Sequence, residues 1–325
     1  MIAPNLPAEL KAALEAKLEG VSRGDASRRA AAISEIYRAG GGSGAIKTAA
    51  DALAYVLARM PATYGAVAAS LNALSRIRPV FSPQSLFDIG AGPGTATFAA
   101  AEAFSSLKTF ALFDRNDAVR SLALEFAREN TRLAEMRYMS GEALCVLAQA
   151  QTADLVVASY VIGELAEAER SKLVSLMWAK TSDTLLIIEP GTPAGYDRII
   201  AARQHLIALG AYIAVPCPHD GPCPLSAPDW CHFAQRLPRS RAHKLVKGVE
   251  LPFEDEKFSY VALTRDPVGQ RHARVLAQPA VGKVEVSAKL CTVDGLMFVK
   301  VPRRDREAYA RARRWHWGDA VMKEG

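Results

Sequence analysis

Through the first eighty positions apolar residues recur at helical spacing. Leu10, Ala13, Leu14 and Leu18 share one helix face, and the alanine-rich run from Ala45 to Met60 keeps the same period. Arg38–Gly44 (RAGGGSG) reads as a flexible break between them, and Pro61, Pro79 and Pro83 punctuate the approach to a different pattern. From residue 85 short apolar runs alternate with helical stretches. Ser85–Ile89, Thr109–Phe113, Arg137–Met139, Asp154–Ser159, Thr184–Glu189 and Tyr212–Val215 predict strands, with a further strand at Phe258–Thr264. Thr95–Ala103, Ala118–Asn130, Ala143–Gln151, Glu167–Ala179 and Pro193–Leu209 predict the helices between them. Such alternation predicts an α/β fold with a parallel sheet covered on both faces. After Pro267 the β-forming runs Arg274–Ala277, Lys283–Leu290 and Leu296–Val301 surround the turn signal Asp294-Gly295, so a small antiparallel unit is expected, closed by a basic helix at Asp305–Arg314. The organisation expected is a helical region over 1–80, an α/β domain over 81–266, and a small β unit with its helix over 267–325.

Half of the 325 residues are apolar and 23% are charged, which is globular composition and excludes disorder, collagen-like repeats or coiled coil for the whole chain. No apolar run approaches the ~20 residues of a membrane span, so no membrane association is expected. Neither a secretory h-region nor an Arg-rich presequence is visible at the N-terminus. The net charge of +6 is uneven: residues 1–200 carry −1 and residues 201–325 carry +7. Arg236, Arg239, Arg241, Lys244 and Lys247 form one acid-free stretch. Arg303, Arg304, Arg311, Arg313 and Arg314 dominate a second, which ends in Trp315, His316 and Trp317. Basic groups that release counterions from a polyanion, beside aromatics that can stack on bases, predict nucleic-acid binding at these ten residues.

The segment Phe87-Asp88-Ile89-Gly90-Ala91-Gly92-Pro93-Gly94-Thr95 joins the first strand to a helix. Its glycines allow a sharp turn and close approach to a ligand, and Asp114 ends the next strand, where a carboxylate can hold ribose hydroxyls. The dinucleotide fingerprint wants its third Gly where Thr95 stands, and no Gly-Lys-Ser/Thr follows for a P-loop. Gly90-x-Gly92-x-Gly94 instead resembles motif I of class I S-adenosylmethionine methyltransferases, with a Rossmann-like core. The resemblance implies Asp88 near the methionine amino end, Gly141-Glu142 near the adenine, and Ser159-Tyr160-Val161-Ile162 near the substrate. Glu164 and Glu189, with Tyr160, are the candidates for catalytic groups.

Of the five cysteines, Cys145 lies in an apolar helical run and is expected as a small buried hydrophobe. Cys217, Cys223 and Cys231 fall in a segment with five prolines between 216 and 228, which can form neither a regular helix nor a central strand. A metal centre would hold such a segment, and Cys291 could supply a fourth ligand. Thiolates suit zinc or an iron–sulfur cluster, and the spacing does not choose between them. Pro216-Cys217 is similar to the nucleophile of cytosine-5 RNA methyltransferases but stands in the wrong place for it.

The run from Ile187 to Arg265, with IIEPGTPAGYDRIIAARQ, VPCPHDGPCPLSAPDWCHFAQRLPRSRAHKLVKG and EDEKFSYVALTR, and the terminal Trp317-Gly318-Asp319, resemble the methyltransferase-like family of mitochondrial small-ribosomal-subunit assembly factors and their bacterial relatives. The resemblance spans about residues 30–320. It implies a class I methyltransferase core, association with small-subunit rRNA, and a 4Fe–4S cluster on Cys217, Cys223, Cys231 and Cys291, within a metal loop at 216–232. The Asn/Asp-Pro-Pro-Tyr motif of amino-methylating enzymes is missing. The expectation is therefore a monomeric S-adenosylmethionine-binding, cluster-containing rRNA methyltransferase, cytoplasmic if bacterial and of the mitochondrial matrix if eukaryotic. A non-catalytic assembly scaffold and a small-molecule methyltransferase with structural zinc are the alternatives.

Overall fold

The computed structural model describes residues 1–17, 21–128, 130–240, 243–244 and 247–322, so Leu18 and Arg241 lie outside the described residues. Three helices, α1 (Ala8–Ala16), α2 (Arg23–Arg38) and α3 (Ala49–Ile77), precede the sheet. The alternating part follows as β1 (Ser85–Ile89), α4 (Thr95–Ala103), β2 (Thr109–Asp114), α5 (Asp117–Arg128), β3 (Arg137–Ser140), α6 (Ala143–Gln149), β4 (Ala153–Ser159), α7 (Glu167–Ala179), β5 (Thr181–Pro190), α8 (Pro193–Ala208) and β6 (Tyr212–Val215). Two more strands, β7 (Phe233–Pro238) and β8 (Phe253–Thr264), complete this sheet in the order β3-β2-β1-β4-β5-β8-β6, with β7 paired to β8. β1 to β5 run parallel, and β8 enters antiparallel to both β5 and β6. This is an open, doubly wound α/β sheet of Rossmann-like type, with β8 as its antiparallel member.

Period-two alternation along the central strands sorts the core into two layers. Leu86, Leu112, Leu155, Val157, Leu186 and Ile188 face α1 to α5, while Phe87, Ile89, Phe113, Val156, Ala158, Leu185 and Ile187 face α6 to α8. The helical N-terminal region thus shares its core with the sheet.

α3 corrects the expectation that Pro61 closes the helix. The helix runs straight through it, with Thr48 and Asp51 forming a capping box at its start. A proline in a helix interior costs about 3 kcal/mol. Sixteen buried residues along α3 outweigh that cost. β7 was not foreseen. It is a short strand whose inward residues, Phe233 and Leu237, are buried while Ala234, Arg236 and Pro238 are exposed.

The insertion between β6 and β8 carries the proline-rich cysteine segment. Beyond β8, β9 (Ala273–Val275), β10 (Ala280–Val281), β11 (Glu285–Thr292), β12 (Gly295–Pro302) and β13 (Ala320–Val321) build a second, antiparallel sheet, with α9 (Arg306–Ala312) against its inner face. No helix among the described residues is long and apolar enough to cross a membrane.

The insertion packs back on α3 through one close contact: a Cβ on Gly65 would stand 2.6 Å from Leu237 Cδ2. Gly65→Leu should therefore destabilise the fold by roughly 1–3 kcal/mol. A lowered urea midpoint would show this, and an unchanged midpoint would mean that β7 does not seat on α3.

Candidate cofactor crevice and cysteine centre

β1 lies between β2 and β4, so the connections leave it in opposite directions and open a crevice beyond the carboxyl ends of these strands. The glycine loop sits at its mouth. Gly90 and Ala91 donate to Phe113 O at 2.8 and 3.1 Å, and Gly90, Gly92 and Gly94 all have positive φ. A Cβ on Gly90 would overlap the Val161 side chain, whereas one on Gly92 would meet nothing within 4 Å. The first glycine is thus demanded by packing, and the second leaves open space.

Asp114 accepts from Gly92 N and Asn116 N, both at 2.8 Å, and burial raises its carboxyl pKa. Tyr138 donates to Gly92 O at 2.7 Å, fixing the loop from β3. Asp88 is fully buried and accepts from Thr97 N and Oγ1 on one oxygen, and its other oxygen has no partner. Desolvation holds its carboxyl up at about 7. Glu142 is exposed at the start of α6 and bonded to Arg115, and Ser159 ends β4 half-buried.

The segment Arg38–Gly44 is a strap, which corrects its reading as a flexible break. Ser43 donates through N and Oγ to Glu164, both at 2.9 Å, on one side of the crevice. Asn116 Nδ2 donates to Ser43 O and Ile46 O, also at 2.9 Å, on the other. A Cβ on Gly42 would lie 2.5 Å from Glu164 Oε2, so the glycine serves close approach.

Beside the crevice lies a cavity of about 550 Å³ walled by Tyr37, Tyr55, Arg59, Tyr160, Glu164 and Glu189. Tyr160 holds a left-handed backbone (φ 59°), a strained conformation for a non-glycine residue. Its hydroxyl donates to Glu256 at 2.8 Å, and Arg59 binds the same carboxylate oxygen at 3.2 Å. Glu189 is 1% exposed and paired with Arg198 at 2.7 Å. Burial raises its pKa, and the guanidinium opposes that rise.

The four cysteines expected to act together do converge. Cys217, Cys223, Cys231 and Cys291 line one cavity, and none forms a disulfide. Tyr196 donates to Cys223 Sγ at 3.2 Å, and Ser259 to Cys231 O at 2.8 Å. Two buried arginines flank them. Arg203, 1% exposed, donates to His219 O and Gly221 O, while its Nε has no partner. Arg274 donates to Pro216 O and Gly318 O. Among the described residues neither forms an ion pair with a carboxylate. Buried cations call for a counter-anion; burial pushes the Cys217, Cys231 and Cys291 thiols up, so the sulfurs meet that need only once they are deprotonated. Among the described residues no three His, Cys, Asp or Glu side chains are grouped to hold a single metal ion.

Cys145 is exposed on α6, which corrects its reading as a buried hydrophobe: Leu147 is the buried residue of that helix. Trp315 and Trp317 are also not the exposed stacking aromatics expected. Trp315 packs between the second sheet and α9, and Trp317 meets His232 edge-on at 4.6 Å. Of the ten basic residues expected at nucleic acid, Arg239 and Lys247 close on Glu254, and Arg236 makes two 2.8 Å bonds to Asp255. Lys244 is half-buried, and Arg303, Arg304, Arg311, Arg313 and Arg314 lie exposed on the second unit. Sequence reasoning missed Arg203, although a signal was present: an arginine in the buried helical stripe Ile199, Ala202, Arg203 and Leu206.

Residues 49–322 match the family described as mitochondrial small ribosomal subunit Rsm22. The chain belongs to this family. It is 30% identical over 290 residues to the human mitochondrial ribosome assembly protein METTL17, covering 83% of this chain and 62% of the relative. It is 24% identical to the mitochondrial Rsm22-cox11 tandem protein 2 of Schizosaccharomyces pombe, covering 84% of this chain and 43% of that one. The chain thus spans less than two thirds of either relative. Among solved structures, a putative RNA methyltransferase from Pyrococcus horikoshii matches 62% of this chain and 82% of its own, at 14% identity and a TM-score of 0.41.

Asp88 gives a pH signature. Because its folded pKa lies above its unfolded value, the folded chain keeps a proton that the unfolded chain loses between pH ~4 and ~7, and stability falls as pH rises through that window. At 1.36 kcal/mol per unit the effect approaches ~4 kcal/mol. Relative to Asp88→Asn, the wild type should lose stability between pH 5 and pH 8 in urea unfolding. An equal difference at both pH values would contradict the burial account.

Proposed function

We propose that this chain binds S-adenosylmethionine at the crevice, holds a 4Fe–4S cluster on Cys217, Cys223, Cys231 and Cys291, and acts on or binds small-subunit rRNA in ribosome assembly. The observation that carries the cofactor assignment is Gly92, whose Cα faces open space beside the Asp114 carboxylate at the switch point. Asp114 can accept from both hydroxyls of a ribose, and the unpartnered Asp88 oxygen is a second acceptor behind the loop. The bound cofactor supplies an electrophilic methyl group. Tyr160, fixed by its backbone and by Glu256, forms a rigid wall toward the neighbouring cavity, whose volume suits a ligand of nucleoside size. In the cysteine centre, soft thiolates and two buried guanidiniums fit an anionic cluster, which supplies a crosslink for the proline-rich segment. Zinc is the alternative occupant. The exposed arginines of the second unit are the proposed phosphate contacts.

A second reading is supported by the same residues. Glu164 is engaged by Ser43 and Glu189 by Arg198, so neither is poised as a general base, and the strap spans the crevice. These features suit a scaffold that keeps the cofactor fold without turnover.

Calorimetric titration with S-adenosylmethionine tests the cofactor reading. Wild type should bind, and Gly92→Val should weaken binding at least tenfold by projecting into the open crevice from a left-handed position. No binding by wild type would overturn it. Methyl transfer from labelled cofactor to small-subunit rRNA would then separate enzyme from scaffold.

A further inference from the structure

The outer face of the β11–β12 hairpin is half covered. Cys291 and its partner Leu296 lie at the end beside the cysteine segment, and Lys289 binds Asp229 across that seam. Further along, the same face is open. Phe298, opposite Lys289 in the register, is 76% exposed, and Lys300, opposite Ser287, follows two residues on. Lys289 Nζ sits 5.6 Å from the centroid of the Phe298 ring. The inner face, by contrast, is packed: Val299 and Val301 lie against Trp315, Tyr309 and Ala312. Among the described residues β12 pairs only with β11, so it is also an edge strand.

An exposed phenylalanine in mid-strand is not required by the fold, since its neighbours on the inner face supply the packing. On this face Lys289 is paired with Asp229 and Lys300 with Glu285, while Lys283, Arg303 and Arg304 gather at the open end of the hairpin, where Arg303 donates to Lys283 O. An open aromatic ring on a sheet face that leads to a basic end is the chemistry that takes an unpaired strand: a base stacks on the ring and the phosphates further along meet Lys283, Arg303 and Arg304. The geometry points to this face, centred on Phe298, as a stacking platform for single-stranded RNA. The inference rests on the RNA part of the function proposed above and places a base contact on the face of the sheet opposite α9, whose Tyr309 and Ala312 pack behind it. Lys289 holds one side of the ring, and the other side receives the base.

The experiment is fluorescence anisotropy with a single-stranded oligoribonucleotide of about ten nucleotides, a length within the usual span of such grooves, and with a duplex of the same sequence. Phe298 is exposed, so Phe298→Ala leaves the core untouched. Base stacking contributes ~1–3 kcal/mol per base, so Phe298→Ala should lower single-strand affinity roughly 5- to 150-fold while Phe298→Trp retains it. The duplex, whose bases are not free to stack, should be little affected. Single-strand affinity within twofold of wild type in Phe298→Ala would overturn the platform. Intact RNA affinity with lost association to small subunits would assign the face to a protein instead. A wild type that binds no RNA at low salt would overturn the RNA reading itself, a failure distinct from that of this surface.

Discussion

Residues 216–232 have no backbone ladder to hold them, and the position of the whole C-terminal unit depends on what holds them instead. Five prolines remove the donors that a sheet would use. In their place, side chains from three other elements reach the segment's carbonyls: Arg203 from α8, Arg274 from β9 and Ser259 from β8. Arg271–Asp220 and Lys289–Asp229 pin its two ends to the C-terminal unit. The four thiols lie at the centre of these ties, with three from the segment and one from β11. Whatever joins the thiols therefore joins the α/β core to the second sheet.

The same helix serves both candidate sites. At its start α8 presents Arg198 to Glu189 on the wall of the large cavity. Tyr196 and Arg203, on either side of Arg198 in sequence, line the cavity of the thiols. The terminal Trp317-Gly318-Asp319 belongs to this arrangement as well. Gly318 has positive φ, accepts from Arg274 and lies against Phe233, so the chain end closes back on the insertion. The crevice at β1 is built differently, from backbone donors and glycines, and the strap at Ser43 is its cover.

Much of the core was legible because period and punctuation agree there. Thr95–Ala103, Glu167–Ala179 and Tyr212–Val215 have the same bounds in the structure as in the pattern of their residues. Local rules failed where tertiary burial overrode them. Pro61 reads as a stop, but α3 is buried along most of its length. β7 shows in the sequence only as part of a basic stretch, because an edge strand needs only two inward apolar residues, Phe233 and Leu237. The polar first half of β8, Phe253–Lys257, was hidden for the same reason, since it pairs only with β7. The cysteines were legible as a set because a proline-rich segment needs another tether. The arginines around them were not, because a buried cation shows itself only when its neighbours are known. The charge pattern indicated the basic half correctly but could not tell Arg303 and Arg304, which are exposed, from Arg239 and Lys247, which close on Glu254.

The central claim is that the four thiols share one iron–sulfur centre. The most direct measurement is iron, sulfide and zinc analysis with a visible spectrum on protein purified without oxygen. The account predicts about four irons and four sulfides per chain with broad visible absorbance. Zinc without sulfide, or no bound metal at all, would contradict it.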